Sequence, residues 1–328
     1  MSEVLPAGYR VWAWHGRADP LALVPEHRQL PAPAPGEVLV RNRAIGLNPV
    51  DWKVLGGELV DWQNGHVPGV DGAGEVVTVG EGVDAAWIGA RVAYHQSLAA
   101  HGSFAEYVPI RAAVLLPVPD TLDLVVAAGF PCPALTAWLA IGKLPDNPGE
   151  TLLVSGAGGA VGRYLVQLAN ARSWRVTAMC NARHRERLTQ LGAHDWLPGT
   201  LPDGETLSEP RFAAVIDSVG PDHAQRLTPA LRANGHIVCI QGRVAEWPNP
   251  AFGRALSLHE VALGALHQHG DAHDWLRLTT AGEAMLQAIA DGALHPEPIV
   301  EGSFDDLPAM LGGLRKRNFS GKPVIRLD

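Results

Sequence analysis

The chain is short of cysteine, of positive charge and of any unbroken apolar run, and each shortage removes a class of function. Of its 328 residues three are cysteines, Cys132, Cys180 and Cys239, far apart and without metal-ligand spacing. A disulfide framework is therefore not expected, and buried free thiols in a reducing compartment are. Only 18% of residues are charged, and the formal net charge is −8. That balance lacks the basic face that a phosphate backbone demands, so no nucleic-acid partner is expected. Met1 to Arg10 has no basic stretch leading into an apolar one, so no secretory signal is expected. The longest uncharged run, Leu124 to Gly142, approaches membrane-spanning length, but Pro131 and Pro133 divide it into two short buried helices or a helix and its neighbour. A cytoplasmic protein with no membrane partner is the expectation.

Apolar residues make up 47% of the chain, and its length exceeds what one core usually organises, so two domains are expected. Residues 10–120 read as short β segments broken by Pro and Gly: Val38 to Ile45, Gly74 to Val79, Arg91 to Tyr94, Phe104 to Pro109 and Ala113 to Pro117. From residue 123 onward, strands alternate with helices. Apolar runs at 151–155, 175–180, 212–217, 236–241 and about 260–266 have the continuous hydrophobicity of a parallel sheet covered on both faces. Leu197 to Pro210 reads as a long loop and 272–290 as a helix. The C-terminal part reads as Glu297 to Val300, a helix near Asp306 to Arg317, and a strand from Lys322 to Leu327. The fold class is therefore α/β.

Between the strand at 151–155 and a helix at 160–171 lies Gly156-Ala157-Gly158-Gly159-Ala160-Val161-Gly162. A buried strand turning on glycines into a helix aims free N–H groups and the positive dipole end at one spot, which suits a pyrophosphate. Gly156, Gly158, Gly159, Ala160, Val161 and Gly162 are the candidate ligands. Dinucleotide folds that prefer NAD place an Asp or Glu at the end of the second strand, against the ribose 2′-hydroxyl. Here that strand runs out into Cys180-Asn181-Ala182-Arg183-His184-Arg185, with no acid before Glu186. A guanidinium at Arg183, beside Asn181, suits a 2′-phosphate instead, so NADPH is the expected cofactor.

The sequence resembles the medium-chain dehydrogenases/reductases, and within them the zinc-free quinone-oxidoreductase branch that includes zeta-crystallin. The matching pieces are Gly46-Leu-Asn-Pro-Val-Asp-Trp-Lys53, Val67-Pro-Gly-Val-Asp-Gly-Ala-Gly-Glu-Val-Val77, Arg91-Val-Ala-Tyr94 with His101-Gly-Ser-Phe-Ala-Glu-Tyr107, the glycine turn, Ala214-Val-Ile-Asp-Ser-Val-Gly220 and Gly321-Lys-Pro-Val324, in family order. The resemblance implies a GroES-like β-rich catalytic domain at 1–122 and 268–328, and a doubly wound Rossmann domain at 123–267. It implies a cleft between them for nicotinamide and substrate, and a homodimer formed through the last Rossmann strand near Val261 to Leu266. It also places Asn48 and Thr136 near the nicotinamide, Val219, Gln241 and Gly264 among the cofactor contacts, and Asn318 and Lys322 as closing residues from the C-terminal segment.

Zinc-dependent relatives carry a Cys where Asn48 to Asp51 stands and a Gly-His-Glu where Gly69-Val70-Asp71 stands. Neither soft ligand is in this sequence, and no Cys follows Arg91 before Cys132, so no metal is expected and Asp71 reads as a structural carboxylate. His259, His267, His269 and His273 follow no metal spacing. The reaction expected is hydride transfer from NADPH to an electron-poor acceptor, a quinone or the β-carbon of an enone, with Asn48 or Lys53 donating to the oxygen where charge builds. Lys53 replaces a tyrosine common in this branch. A low-turnover NADPH-binding sensor or structural protein, and a zinc-free alcohol dehydrogenase, are the alternative readings.

Overall fold

In the computed structural model, which describes residues 5–57, 59–316 and 320–327, the alternating apolar residues at Glu37 to Gly46 form the longest strand. Around it the chain places β1 (Gly8–Ala13), β2 (Val24–Gln29), β3 (Glu37–Gly46), α1 (Pro49–Lys53), β4 (Asp71–Val79), β5 (Arg91–His95), β6 (Tyr107–Arg111), β7 (Leu115–Pro117) and α2 (Leu124–Ala128). Val38, Val40 and Ala44 of β3 are fully buried, while Arg41 and Arg43 both reach Glu75 of β4, at 2.6 and 3.2 Å. Leu39 and Ile45 on the other face are buried as well, so both faces of the strand are covered except around Arg41 and Arg43. β1 and β2 pair as a separate antiparallel ribbon that the Pro- and Gly-rich flanks hid from a sequence reading.

α3 (Pro131–Ile141) leads into an alternation of β8 (Thr151–Ser155), α4 (Ala160–Ala171), β9 (Arg175–Cys180), α5 (Arg185–Gln190), β10 (Asp195–Pro198), β11 (Phe212–Asp217), α6 (Pro221–Leu227), β12 (Leu231–Cys239) and β13 (Ser257–Glu260). These six strands are all parallel in the order β10-β9-β8-β11-β12-β13. The order reverses direction at β8 and β11, the switch point of a doubly wound Rossmann sheet, where ligands bind at the carboxyl ends of the strands. Two expectations need correction. β10 was not expected as a strand, and its last two residues, Leu197 and Pro198, fall in the stretch read as a loop; the last strand is Ser257–Glu260 rather than 260–266. Val261 and Leu263 are buried, so their apolar signal reports packing rather than membership of the ladder.

The chain then forms α7 (Ala265–His269), α8 (Ala272–Ala290), β14 (Ile299–Gly302), α9 (Leu307–Arg315) and β15 (Lys322–Arg326). β14 and β15 join the first sheet in the order β14-β15-β3-β4-β5-β7, with β6 paired to β3, completing the GroES-like layer. The chain divides into two compact units. One comprises Met1–Cys132, Gly264–Ala293 and Glu297–Asp328; the other comprises Pro133–Leu263 and Leu294–Pro296. The first has a core of residues such as Ile45, Leu55, Phe104, Phe304 and Leu307; the second is organised around Leu153, Phe212, Leu227 and Ile237. Each such side chain contributes about 1.5–3 kcal/mol by leaving water. No described helix is long and apolar enough to cross a membrane.

Candidate functional site

In the Rossmann unit, β8 ends at Ser155 and the chain turns through Gly156 at φ +67°, where a side chain would be strained and would also strike the Ser218 hydroxyl. Ser218 belongs to the turn after β11, so the turns on either side of the switch point touch. A side chain on Gly162 would strike the Ala157 backbone; its absence lets α4 close onto the turn. Gly159 differs from both. Its φ of −85° and ψ of 172° are ordinary extended backbone, and a Cβ there would meet nothing nearer than the Gly156 carbonyl oxygen at 3.6 Å. Gly159 is the N-cap of α4, and the N–H groups of Ala160, Val161 and Gly162 in the first turn lack intrahelical acceptors. Open space beside unsatisfied donors fits a dinucleotide diphosphate.

The space beside Gly158 is filled. A Cβ on Gly158 would fall 2.5 Å from His184 Cδ2, so the imidazole lies flat against the turn. His184 follows β9 in a 3₁₀ turn that Asn181 caps, its side-chain oxygen accepting from the Arg183 N–H at 3.1 Å. Arg183 Nε then donates to His184 Nε2 at 3.0 Å. Burial, followed by the positive charges of Arg183 and Arg163, holds the His184 pKa below its ordinary value. The other two arginines of this segment point elsewhere: Arg185 packs 5.2 Å from the Trp196 ring centroid and Arg187 reaches Gln190. His184 is a residue that sequence reasoning missed, because nothing in the spacing of a lone histidine indicates that it folds back on a glycine.

Val219 is 38% exposed and its Cγ2 stands 3.5 Å from where a Gly156 Cβ would be. Thr136 is buried in α3, and Gln241 lies two residues beyond β12. The ends of β8 and β11 are locked together underneath. Ser155 Oγ donates to Asp217 Oδ1, while Asp217 Oδ2 accepts from the Val219 and Gly220 N–H groups at 3.0 and 2.9 Å. His223 Nε2 accepts from the Leu201 N–H at 3.1 Å, which leaves Nδ1 to donate to Asp217 Oδ1 at 2.6 Å. Although Ser, His and Asp are all present, the serine hydroxyl bonds the carboxylate rather than the imidazole. The set braces the strand ends and does not activate a nucleophile.

In the GroES-like unit, Asn48 caps α1 and sits in a buried network. Its Oδ1 accepts from Lys322 Nζ at 2.5 Å; its Nδ2 donates to Asp71 Oδ2 at 2.9 Å and lies 3.4 Å from the Gly46 carbonyl oxygen. Asp71 also accepts from the Cys132 N–H at 3.1 and 3.0 Å, and Lys322 Nζ lies 3.9 Å from Asp71 Oδ2. Asp51 accepts from the Asn48 and Val70 N–H groups at 2.7 and 3.2 Å. Asp51 and Asp71 are wholly buried, and Lys322 is 4% exposed. Burial pushes Asp51 up to about 7, against the bond from Asn48, and Asp71 up to about 6, against the attraction of Lys322. Asp71 is thus a structural carboxylate, its oxygens held by an amide, a backbone N–H and a nearby ammonium. Lys53 closes α1 with its ammonium 5.7 Å from the Trp52 ring centroid.

Gly264 is the N-cap of α7 in the GroES-like unit. Asn318 lies outside the described residues. The histidines pair among themselves: His267 Nε2 with His95 Nδ1 at 3.0 Å, and His259 Nε2 with His236 Nδ1 at 3.1 Å. Among the described residues, no group of three or more His, Cys, Asp or Glu is placed to hold a metal ion.

Comparison with known proteins agrees with this geometry. Residues 34–120 match the alcohol dehydrogenase GroES-like domain. The chain is 34% identical over 237 residues to a chloroplast envelope quinone oxidoreductase homolog of Arabidopsis thaliana, covering 68% of this chain and 72% of that one. It is 31% identical over 263 residues to a trans-enoyl reductase of Aspergillus terreus, covering 73% of this chain and 82% of that one. Among solved structures, an NADPH:quinone reductase from Bacillus thuringiensis superposes with a TM-score of 0.86 at 24% identity, over 98% of this chain and 100% of the other, and shares its fold.

Proposed function

We propose, from the premise that this chain belongs to the zinc-free quinone-oxidoreductase branch of the medium-chain dehydrogenases/reductases, that it is an NADPH-dependent reductase of quinones and α,β-unsaturated carbonyls. It is an oxidoreductase using a nicotinamide cofactor. The observation that carries the finer reading is the end of β9. Where an acid would take the ribose 2′-hydroxyl, Arg183 stands with its guanidinium turned toward the glycine turn through His184.

In this reading the first-turn N–H groups of α4 and the open side of Gly159 hold the diphosphate, with Arg183 on the 2′-phosphate. Asn181, Val219, Gln241, Thr136, Gly264 and Asn318 complete the contacts. When bound, the reduced nicotinamide supplies the hydride that the acceptor carbon takes up. Negative charge then develops on the acceptor oxygen, and a fixed hydrogen-bond donor or positive group facing it stabilises that charge. We assign that task to Lys322. The Asn48 amide hydrogens point to Asp71 and Gly46, whereas the Lys322 ammonium gives one hydrogen to Asn48 and retains others. Asn48 then orients Lys322, and Lys53 is the second candidate donor. Water delivers the proton.

The reading includes a homodimer paired through β13, which lies at the edge of its sheet. It also includes a cytoplasmic location, supported by three free cysteines. The test is NADPH consumption with benzoquinones, enones and simple aldehydes, in the presence of a strong chelator. Turnover with the first two, undiminished by chelation, is expected. Activity confined to the aldehydes and abolished by chelation would overturn it.

A further inference from the structure

The Arg183–His184 pair is an odd arrangement for a binding site, because the guanidinium that ought to meet a phosphate spends its Nε–H on a neighbouring ring. A guanidinium has no acceptor, so His184 Nε2 must carry no proton, and the imidazole is neutral with its hydrogen on Nδ1. The groups acting on the charge of that ring are Arg183 of its own turn and Arg163 of α4, both positive, and the glycine turn it lies against carries no charge. Nothing among them favours a proton on His184 in the unliganded protein.

A dianion arriving at this place reverses each of those influences. Its oxygens compete for the Arg183 Nε–H, which frees His184 Nε2. Its charge offsets both guanidiniums, and a second donor beside them becomes favourable. Resting on the NADPH reading above, we propose that His184 is a specificity-determining ligand of the cofactor's 2′-phosphate, neutral in the free protein and protonated by a proton from solvent as that phosphate binds. The balance is one proton taken up per site, with no bond broken except the Arg183–His184 hydrogen bond. The 2′-phosphate is favoured over the diphosphate as the partner because His184 follows β9, where the ribose is read, and because the diphosphate already has the open side of Gly159.

The sign of the pH dependence follows directly. If the His184 pKa rises on binding, the added affinity is complete below the pKa of the free protein and disappears as pH rises through that of the complex. A phosphate monoester has its second pKa near about 6, so above neutrality the ligand's own titration contributes little. The experiment is calorimetric titration of the full-length protein with NADPH, NADH, 2′,5′-ADP and 5′-ADP between pH 7 and 9, in buffers of different ionisation enthalpy. It is repeated with His184→Gln, which can accept from Arg183 but does not titrate. Wild type should take up as much as about one proton with NADPH and with 2′,5′-ADP, and none with NADH or 5′-ADP. Its NADPH-to-NADH affinity ratio should fall by up to about tenfold per pH unit, whereas that of His184→Gln should stay flat and NADH affinity should be the same in both.

Equal uptake with NADH and 5′-ADP would assign His184 to the diphosphate and overturn the proposal. So would an unchanged pH profile in His184→Gln, or a loss of NADH binding there, which would make His184 a support for the turn. The failure of the NADPH reading is a separate result: equal NADPH and NADH affinity in wild type at every pH.

Discussion

The Asn48–Lys322 network and the Arg183–His184 turn are both polar clusters beside glycine-rich backbone, and they differ in how fully their hydrogen-bonding capacity is used. Around Asn48 every group is buried: Asn48 bonds on both ends of its amide, Asp71 accepts from two sources, and Asp51 accepts from two N–H groups. At the turn, Arg183 is exposed and its partner is the residue next to it. Opening the first cluster would leave buried charge uncompensated, a cost of several kcal/mol, whereas rearranging the second exchanges one exposed bond for another. A reaction centre needs the first kind of construction, because the field at the reacting atoms must not reorganise. A selective binding site can use the second, because its response to the ligand is where discrimination arises.

The largest expected effect breaks the buried side of this contrast. Lys322→Met removes the ammonium that lowers both carboxylates, and should cost about 3–5 kcal/mol in urea unfolding at pH 8. Asp51 and Asp71 already sit near 7 and 6, above their unfolded values, so each binds its proton more tightly when folded. Their share of stability grows as pH falls from about 7 toward about 4; because loss of the ammonium raises both folded-state values further, the Lys322→Met deficit should shrink as pH falls toward about 6 and stay level below it. A deficit under about 1 kcal/mol, flat with pH, would mean that the network is not held by Lys322.

Two glycine substitutions sharpen the other side. Gly162→Val drives a side chain into the Ala157 backbone and should lower the stability of the unliganded protein by several kcal/mol. Gly159→Val enters open space at an ordinary φ, so its melting temperature should stay within about 2 °C of wild type while NADPH affinity falls about 100-fold, or about 2.7 kcal/mol. Normal NADPH binding by Gly159→Val would remove the turn as the phosphate cradle. Arg183→Ala comes next. Loss of a charged hydrogen bond worth about 1.5–3 kcal/mol should weaken NADPH by roughly 10–150-fold and leave NADH within about twofold, measured by fluorescence titration.

The smallest effect concerns the buried His95–His267 pair. Burial lowers His95 to about 3 and His267 to about 4, so stability present above about 6.5 is lost as pH falls. His95→Gln should reduce the acid-side slope of stability by up to about one proton between pH 4 and 6. An unchanged slope would show that the ring is protonated in the folded protein.

The β8–α4 turn and the Arg183 position were legible because both are local: a strand, glycines and a helix in succession, and a fixed offset along the next strand. Lys322 and Asn48 are 274 residues apart, and no periodicity announces that one will cap the other's amide. The Ser155–Asp217–His223 brace was invisible for the same reason, since it requires β8 and β11 to be neighbours. The run at 261–266 misled because burial against other elements and burial within a sheet produce the same apolar signature. β10 was hidden by its composition: Asp195-Trp196-Leu197-Pro198 pairs with β9 at the sheet edge, where half-exposed residues and a terminal proline are tolerated.

The central claim, NADPH-driven hydride transfer to an electron-poor carbon, is tested most directly by isotope. With NADPH carrying deuterium at C4 of the nicotinamide and an enone as acceptor, the account predicts that the label arrives at the β-carbon of the saturated product, whereas the α-position gains hydrogen from solvent. Deuterium at the carbonyl carbon of an allylic alcohol, or none in the product while NADPH binds normally, would contradict it.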